Sequence, residues 1–127
     1  MDTKLYFTIV AIIGILFGIA FVLVPAQVGV IYGVTPNPAA ILDSRFFGSA
    51  LLAWGVIVWM ARDFREDAAI RGVLIGSIVG DIVGGAVNIW GTIQGLLNGL
   101  AWTTTILYIL LLLGAIYCLA AGERKAA

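Results

Sequence analysis

The chain has 127 residues, 62% of them hydrophobic and 11% charged, with a mean hydropathy of +1.12. Basic and acidic residues balance at 7 each with no basic run, so no nucleic-acid partner is expected. A soluble domain needs more polar surface than this, and the apolar residues fall in long unbroken blocks, so the chain reads as an integral membrane protein.

At ~20 residues per crossing, the length holds one domain of four spans, at residues 5–24, 43–61, 70–90 and 100–120. The expected fold class is all-α, a four-helix bundle whose first partner is the lipid bilayer. The first span carries no charge after Lys4. Its apolar block is too long for a signal-peptide core, and Val24-Pro25-Ala26 makes a poor cleavage site, so it is read as a retained helix. Gly14 and Gly18 give that helix one GxxxG, the spacing of a close helix contact. Pro25 should end it, and the segment to Pro36 reads as an interfacial loop or short helix with Tyr32 as its anchor.

Asn37-Pro38 is a helix start, with Asn as N-cap and Pro in the first turn. The second helix should run from there to Ala61. The charged stretch from Arg62 to Arg71 is a solvated turn. In it Asp63 and Glu66 have capping-box spacing, and Asp67 can pair with Arg71 one turn on. The third span carries Gly72, Gly76, Gly80 and Gly84, every fourth residue, which predicts a smooth flank for a neighbouring helix. Trp90 and Trp102 flank a glycine-rich turn as an aromatic belt, and Gly122 should open a polar tail after the fourth span.

With four crossings the two termini and the middle turn share one side. That side holds Lys4, Arg62, Arg65, Arg71, Arg124 and Lys125 against Arg45 alone on the other. The positive-inside rule then places both termini in the cytoplasm.

The chemistry-bearing candidates are few. Asp81 sits in the third span, and an acid inside an apolar span needs a partner, a proton or a task. Counting helical rise, it lies about 15 Å from the cytoplasmic edge, whereas Arg45 and Asn88 lie roughly 24 and 25 Å in. Ser77, Asp81, Gly84, Gly85 and Asn88 recur at helical spacing as a polar, small-residue stripe that should face protein. Three states of Asp81 fit the sequence: protonated and hydrogen-bonded to a neighbouring helix, ionised and paired with Arg45, or used for proton or ion coupling. The pairing would have to span about 9 Å of depth with the two side chains leaning apart. Snorkelling of Arg45 to the surface is the alternative.

Other chemistry is scarce. Histidine is absent and Cys118 is the single cysteine. That removes His-ligated haem, His-containing zinc sites and intrachain disulfides, and points to inert packing for Cys118. No phosphate loop, dinucleotide fingerprint or nucleophile–base pair occurs, so neither a cofactor nor a catalytic residue is expected.

The run Arg45-Phe-Phe-Gly48-Ser-Ala-Leu-Leu-Ala-Trp-Gly55, with the charged turn and the glycine-rich third span that follow, resembles bacterial four-span proteins of unknown function. These are distantly similar in architecture to the DoxX-like small membrane proteins. The resemblance implies a four-helix bundle in a bacterial inner membrane and carries over no catalytic residue. The leading expectation is a non-catalytic accessory or scaffold subunit that packs on itself or on other membrane subunits. The alternative is a small proton- or ion-coupled transporter or channel using Asp81. Small multidrug transporters place such an acid in their first helix, and this chain does not.

Overall fold

A computed structural model describes residues 1–126, which form five helices and no strand: α1 Thr3–Leu23, α2 Pro25–Ile31, α3 Pro38–Ala61, α4 Asp67–Ile93 and α5 Ala101–Ala126. All but α2 are long and apolar enough to cross a membrane. The all-α, four-span architecture is therefore as expected. The helices overrun the predicted spans because they continue into the polar edges, where backbone hydrogen bonding still favours the helix. Gly122 does not open a tail, since α5 runs on through it.

Local signals explain most helix ends. Asp2 caps α1 by accepting from the Lys4 amide, and Asn37 caps α3 by accepting from the Ala40 amide at 2.9 Å, with Pro38 in the first turn. Pro25 starts α2 directly after α1, and Gly33 then turns the chain with φ +81°, a conformation only glycine adopts without strain. The capping box at the start of α4 does not form. Glu66 is the N-cap residue but makes no side-chain cap bond, and Asp63 instead meets Lys4 at 3.0 Å and Arg62 at 3.5 Å. The Lys4 ammonium, hydrogen-bonded to Asp63, holds that carboxyl below the usual carboxylate range. Nor does Asp67 pair with Arg71, whose guanidinium reaches Glu123 of α5 at 3.1 Å. Both ion pairs gather the N-terminus, the middle turn and the end of α5 at one end of the bundle.

The bundle is built from two unequal pairs. The α1–α3 contact is backbone against backbone. A Cβ placed on Gly18 would stand 2.7 Å from the Leu52 amide nitrogen, and one on Gly55 would stand 2.8 Å from that of Ile15. A Cβ on Gly48 would meet the Phe21 Cβ at 2.7 Å and the Gly18 carbonyl at 2.9 Å. Gly14 completes the seam against Gly55. So Gly14 and Gly18 do mark a close helix contact, with Gly48 and Gly55 as its other half.

The α4–α5 pair, and the seams between pairs, use aromatic rings laid on glycines instead. Trp54 of α3 covers Gly76 of α4, Tyr108 of α5 covers Gly84, and Tyr6 of α1 covers Gly114 of α5. This corrects the expectation for the α4 glycines. No atom of the chain outside the local helix lies within 4 Å of a Cβ on Gly72 or Gly80, and Gly76 and Gly84 receive rings, not a helix backbone. The reason is geometric: four residues turn a helix about 40° past one full turn. The row therefore swings from Gly72 on the outer surface to Gly84 on the protein side.

The best-buried apolar side chains, Phe7, Val58, Leu74 and Cys118, lie toward the end that holds the termini. Cys118 packs in that core as a free, buried cysteine. At the opposite end α2 and its turn close the bundle. The Asn98 amide nitrogen donates to the Tyr32 carbonyl at 2.9 Å, its side chain donates to the Ile31 carbonyl at 2.8 Å, and the Tyr32 and Thr104 hydroxyls share a hydrogen bond at 2.8 Å. Tyr32 is thus a latch between the two pairs as well as an interface residue. Trp90 and Trp102 stand exposed at that same end, as an aromatic belt requires.

Candidate functional site

The inward face of α4 follows from its sequence. Leu74, Ser77, Asp81, Gly85 and Asn88 fall on one side at helical spacing, while Ile75, Val79, Ile82, Val83 and Val87 fall on the other and are exposed. Ser77 is 4% exposed, Gly85 is buried, and Asp81 and Asn88 are half-buried, so the polar stripe faces protein as expected.

Its members differ in what they do. The Asn88 side-chain amide donates to the Ala101 carbonyl at 2.9 Å and to the Thr105 hydroxyl at 2.8 Å, which joins α4 to α5 and uses both donors. Thr92, one turn on, donates back to the Asn88 carbonyl at 2.8 Å. Asn88 is therefore a structural tie. Replacing it with leucine is expected to lower stability by about 1 kcal/mol, within the usual range for interhelical hydrogen bonds in membranes. The check is a comparison of unfolding in mixed micelles against the parent chain. An Asn88→Leu variant as stable as the parent would show that the tie contributes nothing.

Deeper in the bundle the polar groups are less settled. The Ser77 hydroxyl and the Asp81 Oδ2 are both buried with no hydrogen-bond partner. Tyr6, buried on α1, donates its hydroxyl to the Leu111 carbonyl of α5 at 3.1 Å. Tyr108 of α5 lies on Gly84 and Gly85, three and four residues along α4 from Asp81. A carboxyl, a serine and two phenols are thus turned into the interior formed by α1, α4 and α5.

Arg45 is not part of it. It is exposed on α3, and among the described residues it makes no ion pair, with Asp81 or with any other acid. Depth and opposed side-chain lean account for this, as the sequence suggests. Asn88 likewise turns to α5 and not to Arg45. No group of three or more acidic or cysteine side chains that could hold a metal occurs among the described residues. Sequence reasoning missed Tyr6, Tyr108 and Thr105 as members of the polar interior. The available signal was weak: Tyr6 stands at the edge of its span, where tyrosines usually anchor to the interface, Tyr108 lies inside its span with nothing in the local sequence to say which way it faces, and only the fold turns the two inward.

The chain belongs to the family described as a domain of unknown function, DUF8292, whose model matches residues 1–120. No curated protein and no solved structure matches it.

Proposed function

We propose that this four-span chain is a non-catalytic accessory or scaffold subunit of a membrane complex. In this reading it lies in a bacterial inner membrane with both termini cytoplasmic, and docks on other membrane subunits through its outer helix faces. The observation that carries the reading is how the interior polar groups are used. Tyr6, Tyr32, Asn88 and Asn98 each hold one helix or turn to another. What the chain offers to the outside is an apolar surface that includes Val79, Val83 and Val87 of α4 and Ile106, Leu110 and Leu113 of α5. The distribution of basic residues, six to one by side, supports the orientation. The distant resemblance to DoxX-like small membrane proteins belongs to this reading too, and rests on the four apolar spans alone.

The test is purification of the tagged chain from native membranes in mild detergent, then reciprocal purification through whatever co-migrates. A larger membrane protein recovered in fixed ratio from both directions supports the accessory role. A chain recovered alone or as a homodimer overturns it.

A second reading, a small proton- or ion-coupled transporter or channel, is favoured by one observation: the unpartnered oxygens of Ser77 and Asp81. It requires proton or ion flux into vesicles reconstituted with the chain that the Asp81→Asn variant lacks.

A further inference from the structure

The groups around Asp81 define a site of their own. Oδ2 of Asp81 is buried and accepts no hydrogen bond. A carboxylate left in that state inside an apolar bundle is strongly disfavoured unless a cation or several donors compensate it. Among the described residues no such compensation is present. From α1 the titratable group turned into the bundle is Tyr6, whose O–H is already given to the Leu111 carbonyl. From α5 it is Tyr108, laid on Gly84 three residues along from Asp81, with Cys118 buried further along. From α3 the neighbour is Trp54, laid on Gly76, and the charged residues of that helix, Asp43 and Arg45, are exposed. Tyr32, beyond α2, has its hydroxyl engaged with that of Thr104. The remaining basic side chains with a described partner, Lys4, Arg62 and Arg71, are engaged at the end that holds the termini.

Beside the acid stands Ser77, 4% exposed, one turn earlier on the same face, its hydroxyl buried and unpartnered. A serine so placed can accept from a protonated carboxyl one turn away after a rotation of its side chain. We infer that Asp81, with Ser77 as its hydrogen-bonding neighbour, is a proton-binding site on the inward face of α4. The ligand is the proton itself, which supplies the positive charge that the side chains do not. The inference rests on the bundle alone and applies equally to a subunit and to a transporter.

Infrared spectroscopy of the purified chain in an ester-free detergent at neutral pH tests it. The other aspartates, Asp2, Asp43, Asp63 and Asp67, are exposed. The wild type is expected to show a carbonyl stretch of a protonated carboxyl that shifts when aspartate carbon is isotopically labelled. That band is lost in Asp81→Asn and moves in frequency in Ser77→Ala. The isotope shift needs no variant, so the test survives a variant that fails to fold. Absence of an isotope-sensitive carboxyl band in the wild type overturns the inference. So does loss of the band when sodium chloride replaces choline chloride at constant pH, which would mark a metal-cation site.

Discussion

Alanine at Gly48 is expected to cost about 1–3 kcal/mol of stability, the range for forcing an extra carbon into a packed interface. The added Cβ would meet the Phe21 Cβ at 2.7 Å and the backbone of Gly18 and Val22 at 2.9 and 3.0 Å, so the helix axes themselves must separate. A flexible side chain could turn aside, but a backbone on a helix cannot. Gly18→Ala should behave the same way, because its Cβ would strike the Leu52 backbone. Gly80→Ala is the matched control: no atom outside the local helix lies within 4 Å of the added carbon, and an effect within about 0.5 kcal/mol is expected. Detergent-driven unfolding followed by tryptophan fluorescence measures all three. Equal losses at Gly48 and Gly80 would sink the backbone-contact account of the α1–α3 pair.

Tyr6 separates two contributions that the structure combines. Its ring covers Gly114 and is 2% exposed, and its hydroxyl donates to the Leu111 carbonyl. Removing the ring with Tyr6→Ala is expected to cost ~3–5 kcal/mol, as large aromatic truncations in packed cores do. Removing the hydroxyl alone with Tyr6→Phe should cost about 0.6 kcal/mol, and not more than ~1.7 kcal/mol. In a bilayer the lipid tails are as apolar as the core, so the first loss comes from packing against α5 and not from water. The same unfolding assay decides it. A Tyr6→Phe variant as damaged as Tyr6→Ala would mean that the hydrogen bond, not the ring, joins α1 to α5.

The spans were legible because each is set by its own composition: twenty apolar residues with a proline, a charge cluster or a glycine turn at the ends. The Asn37-Pro38 start was legible for the same reason, since a cap acts within one turn. The partners of the charged residues were not. Asp63 and Arg71 each have a good candidate within four residues, and each takes one from another helix. Local spacing cannot weigh a neighbour that the fold brings in from 59 or 52 positions away. The glycines teach the same lesson in reverse. The regular row in α4 drew the eye, yet the closest helix contact uses Gly48 and Gly55, seven residues apart and so on one face of α3. That spacing was readable, but only α1 lying opposite gives it meaning. In the candidate site, the inward placement of Ser77, Asp81 and Asn88 followed from helical period. Tyr6 and Tyr108, which come from other helices, did not.

The ion pairs carry one more consequence. Lys4, Arg62 and Asp63 all lie before the middle turn ends, and Arg71 and Glu123 both lie after it. Each half of the chain therefore forms its own ion pairs among the described residues, and the halves meet through a shared apolar core, rings on glycines and neutral hydrogen bonds. A break in the backbone at the exposed turn should cut no ion pair and no helix. Fragments 1–64 and 65–127 produced together in one cell are expected to find each other in the membrane, and a tag on one should recover the other. Failure to recover the second fragment while both are inserted would show that the turn holds the halves together. If they do reassemble, the protein is a natural candidate for complementation from two genes.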